Sequence, residues 1–382
     1  MSFKISEEKN HSLLNIDNAA EYLIARGLLV TKSIVGGDLK IIDASRRNRN
    51  LHIIRKNDTS LFIKQPNPSN IDNKTTIKKE TLLYLLMQTD SDFESLKEIT
   101  PKILDFDEQR NIMITEFVKN SQSWSTHSYV NHGVIEKEES AQLGKMIATY
   151  HNAFNGFANR HKLNFLQGGF IPVASIVRPG IEIFTEINSA NLKLLKLVQQ
   201  YPTFFDSLEE LYSKWHPMTL IHGDIKWDNI IISSEEDSKS FKINIVDWET
   251  ASIGDPAWDV GSVFQEFIVS WLSFLPITGR DSAEQMLTTA THPIKEIQLA
   301  IRAFWNAYVK FTGLTSKESN QLLIRSVKFC ASRLVQSAYE SLYSSTELSN
   351  TVVYMIQLSM NIFNHPNSAT MQLLGIPFRS EL

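Results

Sequence analysis

The stretch LIHGDIKWDNIII, Leu220 to Ile232, interrupts two strand-like apolar runs with a dense group of polar residues. Placing a backbone between two buried strands does not require so much polar chemistry. The loop is therefore a candidate functional site. A second apolar run, INIVD, ends in Asp247. The polar residues of the interruption are His222, Gly223, Asp224, Lys226, Asp228 and Asn229.

Three oxygen-bearing side chains in this region indicate a metal site. Asp224 and Asp247 each follow an apolar strand, and Asn229 lies between them in sequence. Strands that end in this way bring hard oxygen ligands to one edge of a sheet, an arrangement that suits Mg²⁺ with its phosphates and waters. Zinc would require His or Cys groups at closer spacing. The sequence therefore predicts magnesium rather than zinc.

Composition narrows the class of protein. A chain of 382 residues with 42% hydrophobic and 21% charged residues suits one bilobal unit or two globular domains. A formal net charge of -4 gives no global attraction to nucleic acid, and the most apolar run, FIVSWLSFLPI, is too short to cross a bilayer. The single cysteine, Cys330, excludes an intrachain disulfide. We expect a cytoplasmic protein without nucleic-acid or membrane partners.

The pattern along the chain predicts an α+β protein of two lobes. Short runs such as NLHIIRK, SLFIKQP and NIMITEFV are typical of an antiparallel sheet, and SIVGGDLKIIDA is assigned to the same sheet. The segment TTIKKETLLYLLMQT predicts one helix, with Ile77, Leu82, Leu85 and Leu86 at broadly helical spacing. Beyond Ser121 helical segments dominate, the last ending at Asn364. We assign residues 1–117 to a β-rich lobe and 118–382 to a helical lobe.

Four ordered motifs resemble the aminoglycoside phosphotransferase-like and choline kinase-like family of the protein-kinase-like superfamily. They are HGDIKWDN, IVDWE, GDPAWDVG and LGKMIATYH. The resemblance runs from about Ser33 to Phe267 and implies a bilobal protein-kinase-like fold that uses ATP or GTP with Mg²⁺. It implies that Asp224 orients the acceptor hydroxyl and accepts its proton, and that Asn229 and Asp247 hold the metal.

The same resemblance makes demands on the first lobe. It implies that Lys64 binds the phosphates, that Glu80 holds Lys64, and that the backbone of Glu116 and Val118 in ITEFV meets adenine. No G-x-G-x-x-G motif is present in the sequence. The phosphate-covering role is therefore assigned to Gly36 and Gly37.

Lys226 leaves the acceptor open. Many small-molecule kinases of this family lack a lysine two residues after the catalytic aspartate, whereas protein Ser/Thr kinases carry one. A cation here would neutralise charge on the transferring phosphoryl group. The acceptor is a small hydroxylated molecule, such as an aminoglycoside, or a Ser/Thr of a peptide, such as a lanthipeptide precursor. A third alternative is a catalytically silent pseudokinase, although this chain keeps the whole residue set. The sequence does not determine the oligomeric state.

Structural roles are predicted for several neighbouring residues. His222 and Asp259 are expected to brace the loop, and the tryptophans Trp227, Trp248 and Trp258 are expected to pack. The arginines Arg46, Arg47 and Arg49 are expected in a solvated turn. Whether the acidic residues form one pocket stays open; they are Glu249, Asp255, Glu266 and Glu340.

Overall fold

The computed structural model describes residues 13–45, 48–67, 72–118, 120–155, 161–166, 187–234, 241–275 and 292–380. Arg46, Arg47 and most of the predicted hairpin tip at 233–240 lie outside these residues. The chain divides into two compact units, Met1–Ser121 and Gln122–Leu382, termed here the first and the second unit. The predicted α+β class is confirmed, with an antiparallel sheet in the first unit and mainly helices in the second.

The first unit is built on a five-stranded antiparallel sheet in the order β1-β2-β3-β5-β4. The strands are β1 (Leu39–Asp43), β2 (Arg49–Arg55), β3 (Leu61–Gln65), β4 (Ile103–Asp107) and β5 (Ile112–Glu116). The helices are α1 (Ala19–Ala25), α2 (Thr31–Val35) and α3 (Asp72–Thr89). Alternate apolar residues of β2, β3 and β5 pack against Leu23 of α1, which gives the sheet one buried face.

One prediction for this unit was wrong in detail. Part of the predicted strand SIVGGDLKIIDA forms α2, and β1 begins only at Leu39, after a turn in which Gly37 adopts φ +68°. The helix predicted for TTIKKETLLYLLMQT is confirmed as α3. Its Ile77 is buried, whereas Leu82 and Leu85 are exposed, and its buried face includes Glu80, which bonds Lys64 of β3.

The second unit is mainly helical, as the sequence predicts, and its helices are given in chain order. They are α4 (Trp124–Val130), α5 (Lys137–Phe154), α6 (Ser189–Gln199), α7 (Pro202–Ser213), α8 (Pro256–Ser273), α9 (Ile294–Thr312), α10 (Ser316–Ser341) and α11 (Asn350–Asn364). The strands from Ser121 onward are β6 (Ser121–Ser123), β7 (Thr219–Ile221), β8 (Ile230–Ser234), β9 (Phe241–Ile245) and β10 (Ser252–Gly254). Short 3₁₀ turns follow at Trp227–Asn229 and Trp248–Thr250.

The strands and helices of the second unit fix the position of the polar loop. β7 leads into the loop and pairs with β10, while β8 leaves the loop and pairs with β9 in an antiparallel hairpin. Helices α8 and α10 approach closely at Gly261, where an added Cβ would lie 2.6 Å from the carbonyl oxygen of Ser326. This close approach sets α10 against the helix that follows the loop. In the described ranges no helix is long and apolar enough to cross a membrane.

Candidate active site

Asp259 of α8 holds the backbone of the polar loop, as the sequence predicts. Its Oδ2 accepts a hydrogen bond from the His222 amide at 2.7 Å, and its Oδ1 accepts one from the Gly223 amide at 3.1 Å. The Tyr150 hydroxyl also donates to Oδ2, at 2.6 Å. Burial opposes ionisation, but the hydrogen bond and charge of His151 keep the pKa of Asp259 below its ordinary value. Asp259 is therefore an anionic anchor for the loop.

His222 braces the loop from inside. The side chain is fully buried; Nε2 donates to the Val246 carbonyl at 2.9 Å and Nδ1 accepts from the Asp224 amide at 3.2 Å. Burial lowers the pKa of His222, which keeps the ring neutral and matches one donor and one acceptor nitrogen. Gly223 has φ +83°, and a Cβ there would lie 2.9 Å from the Thr250 carbonyl oxygen. The turn before Asp224 thus requires glycine.

Asp224 lies between two cations. Its Oδ2 is 2.7 Å from Lys226 Nζ, and its Oδ1 is 3.4 Å from Arg333 Nη2. Burial would raise the pKa of Asp224, but the charges of Arg333 and Lys226 outweigh it and bring the pKa to about 2. For Lys226, burial would lower the pKa, yet Asp224 raises it above its ordinary value. The carboxylate is ionised and can only accept hydrogen bonds.

Asn229 and Asp247 meet at the same end of the β8–β9 hairpin. β8 begins directly after Asn229, β9 ends shortly before Asp247, and the Val246 amide donates to the Asn229 carbonyl at 2.9 Å. Asn229 Nδ2 donates to the Asp224 carbonyl at 2.9 Å. The other side-chain atom, Oδ1, is therefore the one that can bind a metal ion. Asp247 adopts φ 65° and ψ 54°, a conformation uncommon outside glycine. This set of hard oxygens fits Mg²⁺.

In the first unit the structure brings Lys64 and Glu80 together. Lys64 Nζ lies 2.7 Å from Glu80 Oε2, and the side chains are 5% and 1% exposed. Lys64 points from the middle of the sheet, on β3, and Glu80 from the buried face of α3. The two residues form a buried ion pair that fixes the position of the ammonium group.

Gly36 and Gly37 are not brought to the Lys64 end of the sheet. They precede β1, whose first residue pairs with Arg55 of β2, whereas Lys64 pairs with Asn50. The two pairing positions are separated by roughly 17 Å along an antiparallel strand. The position of the two glycines therefore does not support a phosphate-covering role, because the other end of β1, where Asp43 pairs with Leu51, is the one near Lys64.

The segment ITEFV, Ile114 to Val118, includes the end of β5 and the two residues that follow it. The Glu116 amide donates to the Lys102 carbonyl at 2.8 Å, and the Phe117 amide donates to the Ser60 carbonyl at 2.8 Å. The Val118 carbonyl accepts from the hydroxyl of Ser121 at 2.5 Å. Backbone hydrogen bonds on both sides thus hold this segment against the sheet.

Comparison with protein families decides the class of this chain. The model of the phosphotransferase enzyme family, APH, matches residues 38–291, more than half of the chain. The chain belongs to this family. The resemblance inferred from the four motifs is confirmed, and so is the predicted enzyme class, a phosphotransferase with a hydroxyl acceptor.

Solved structures similar to the phosphotransferase share its fold at low sequence identity. Choline kinase from Cryptosporidium parvum Iowa II is 11% identical, with a TM-score of 0.53 over 92% of this chain and 96% of that chain. A choline/ethanolamine kinase family protein from Mesorhizobium loti is 14% identical, with a TM-score of 0.46 over 91% and 94%. No curated protein sequence matches the chain. The first likeness shows a kinase-like fold.

The tryptophans and acidic residues of the phosphotransferase have structural contacts. Trp227, Trp248 and Trp258 are buried, as predicted, and Trp258 Nε1 donates to the Gly223 carbonyl at 2.9 Å. Asp255 accepts a bond from Arg325 Nη2 at 3.0 Å.

Other acidic side chains serve separate contacts in the second unit. Glu266 accepts from the Trp227 amide at 2.7 Å, and Glu340 accepts from Gln336 Nε2 at 2.8 Å. Asp255, by contrast, forms an ion pair with Arg325 on α10.

Sequence reasoning missed Arg333 in the phosphotransferase. It lies beyond the matched residues, on α10, 109 positions from Asp224 in the chain. One signal was available: Arg333 falls on the buried stripe of α10 with Leu322, Ser326 and Cys330, all three at helical spacing. A charged residue on a buried stripe indicates a buried partner.

Proposed function

We propose that this phosphotransferase transfers the γ-phosphoryl group of ATP, with Mg²⁺, to a hydroxyl group of a small molecule. The observation that carries the proposal is the ionised Asp224 carboxylate, bonded by Lys226 and set beside Asn229 and Asp247. A fixed carboxylate can orient an acceptor hydroxyl and accept its proton as the O–P bond forms. The reaction depends chiefly on positioning and charge.

Asn229 and Asp247 would hold Mg²⁺, which neutralises phosphate charge when it is bound. Lys226 would offset the charge on the transferring phosphoryl group, because its ammonium lies beside the carboxylate that orients the acceptor. Asp224 would bind the acceptor hydroxyl and not the metal. Two different carboxylates, Asp224 and Asp247, would thus serve the hydroxyl and the metal.

The first unit would bind the nucleotide. Lys64, fixed by Glu80, would position the phosphates, and the Glu116 carbonyl with the Val118 amide would meet the base. ATP is the proposed donor, with GTP as the alternative that the same backbone contacts allow.

The acceptor is proposed to be a small molecule because the matched family consists of phosphotransferases of the APH type. The test is transfer of label from γ-labelled ATP, with Mg²⁺, to each member of a panel. The panel contains aminoglycosides, macrolides, choline, ethanolamine and Ser/Thr peptides. We expect label on one class of small hydroxylated molecule, identified by mass spectrometry of the product.

Asp224→Asn tests the assignment of the base. We expect turnover to fall about 10³-fold, within the range that a general base contributes, while Mg²⁺-ATP still raises the melting temperature. Asp228→Asn is the matched control, because it makes the same change on an exposed residue of the same loop. Equal turnover in the two variants would contradict the role of Asp224. Label on a peptide alone would replace the small-molecule acceptor, and binding without any transfer would favour a pseudokinase.

A further inference from the structure

Arg333 reaches the proposed base from a helix outside the family match. The family model ends at residue 291, whereas Arg333 lies on α10, Ser316–Ser341. Its Nη2 is 3.4 Å from Asp224 Oδ1, and its side chain is 1% exposed. A guanidinium so far from water is costly unless its charge has a defined partner. The contact with Asp224 supplies that partner.

The two cations at Asp224 differ in their freedom to move. Lys226 is 36% exposed and bonds Oδ2, whereas Arg333 is buried and lies against Oδ1. A lysine that neutralises the transferring phosphoryl group must share its ammonium between Asp224 and the phosphate. During that exchange Arg333 is the cation that stays on the carboxylate.

Arg333 is also held by Trp258 of α8, a residue that bonds the polar loop. Its guanidinium carbon lies 5.6 Å from the ring centroid of Trp258, and Trp258 Nε1 donates to the Gly223 carbonyl at 2.9 Å. Trp258 thus bonds the backbone at Gly223, and Arg333 contacts the carboxylate of the next residue, Asp224.

A structural role alone explains the burial of Arg333 poorly. Its Nε and Nη1 are buried without a hydrogen-bond partner among the described residues. Buried donors are almost always bonded, and each exception costs stability that a structural arginine would avoid. Arg325, on the same helix, also has a buried Nε without a hydrogen-bond partner among the described residues, but it is partly exposed, and its Nη2 donates to Asp255 Oδ1 at 3.0 Å.

We propose that Arg333 is a positioning residue that holds the Asp224 carboxylate in place during phosphoryl transfer and so allows Lys226 to serve the phosphate. The role rests on the proposed function, because it acts through Asp224. It assigns to α10, outside the matched part of the chain, one of the charges that complete the site.

The test compares Arg333→Met with Arg325→Met, a matched loss of a guanidinium from the same helix. The assay measures ADP formation from Mg²⁺-ATP, with water as the acceptor, and then with any acceptor found in the panel. We expect Arg333→Met to lower kcat about 10²-fold, the cost of a misplaced reacting group, with KM for ATP within about threefold of wild type. Arg325→Met should lower the melting temperature but keep kcat within about threefold.

Arg333→Lys keeps the proposal testable if Arg333→Met does not fold. Lysine retains the charge but not the planar fork, so we expect kcat about tenfold below wild type, against little change in Arg325→Lys. Equal kcat in the 333 and 325 variants, or a loss confined to KM, would overturn the positioning role while the proposed function stands. A wild-type protein that binds Mg²⁺-ATP and forms no ADP with water or any acceptor would overturn both.

Discussion

Two lysine–carboxylate pairs in this phosphotransferase have the same length and different surroundings. Lys64–Glu80 and Lys226–Asp224 both measure 2.7 Å between nitrogen and oxygen. The side chains of the first pair are 5% and 1% exposed, and those of the second are 36% and 20% exposed. The first pair is closed to water, whereas the second is partly open and shares its carboxylate with Arg333.

This difference teaches what each pair is suited to do. A buried pair holds both charges in one geometry, because water cannot replace the contact that separation would break. A partly exposed pair costs less to rearrange, so its lysine can exchange one anion for another. Lys64 is therefore suited to fix a position, and Lys226 is suited to move between partners.

The largest expected effect is on the stability of the first unit. Lys64→Met removes the ammonium that bonds the buried Glu80 carboxylate, and we expect a loss of about 3–5 kcal/mol in the free energy of unfolding. The double variant Lys64→Met/Glu80→Leu removes both charges and should recover most of that stability without recovering turnover. Urea unfolding and ADP formation measure the two effects separately.

Lys78→Met is the matched control for the buried pair. Lys78 lies on the same helix as Glu80 and contacts Glu108 at 2.7 Å, but both side chains are exposed. We expect no measurable change in unfolding, because water replaces an exposed partner. If the Lys64→Met variant were as stable as the Lys78→Met variant, the buried pair would contribute no more to stability than the exposed one.

Glu266, which accepts a hydrogen bond from the Trp227 amide, makes the stability of the protein depend on pH. Burial raises the pKa of Glu266 to about 7 from an ordinary value of 4.5, despite the opposing Trp227 amide and the charge of Arg333. Between about pH 4.5 and pH 7 the folded protein therefore keeps a proton on Glu266 that the unfolded chain has lost. The contribution to stability is full below about pH 4.5, falls as pH rises towards about 7, and is constant above.

Glu266→Gln should remove this dependence, because glutamine stays neutral and still accepts from the Trp227 amide. The measurement is the free energy of unfolding of both proteins between about pH 5 and pH 8. We expect wild type to lose stability relative to the variant as pH rises. A difference that is constant across this range would contradict the raised pKa.

Lys226→Met tests the partly exposed pair, Lys226–Asp224. We expect kcat to fall about 10²-fold, the cost of removing one charge-stabilising donor, with little loss of stability because Arg333 still holds Asp224. Lys214→Met is the control, since Lys214 forms an exposed pair with Glu210 on the same unit and should leave turnover unchanged. A Lys226 variant that unfolds as readily as the Lys64 variant would show that the second pair is structural.

Much of the candidate site was predictable because its residues lie close together in sequence. The interval from His222 to Asn229 is one loop between two strands, and Asp247 follows the next strand, so the alternation of apolar and polar residues indicates the site directly. The pair Lys64–Glu80 was implied by family resemblance and is formed in the structure. The phosphate-covering role was assigned to Gly36 and Gly37 without knowledge of the strand register. The register places the two glycines at the end of the sheet away from Lys64.

The sequence by itself determined the α+β class, the family and the order of the motifs, since these depend on local patterns and spacing. Only the tertiary structure decided that Arg333 meets Asp224 and that Asp255 pairs with Arg325. The physical reason is the length of chain between the partners. A contact across 109 positions depends on how α8 and α10 pack at Gly261, and no local pattern records that packing.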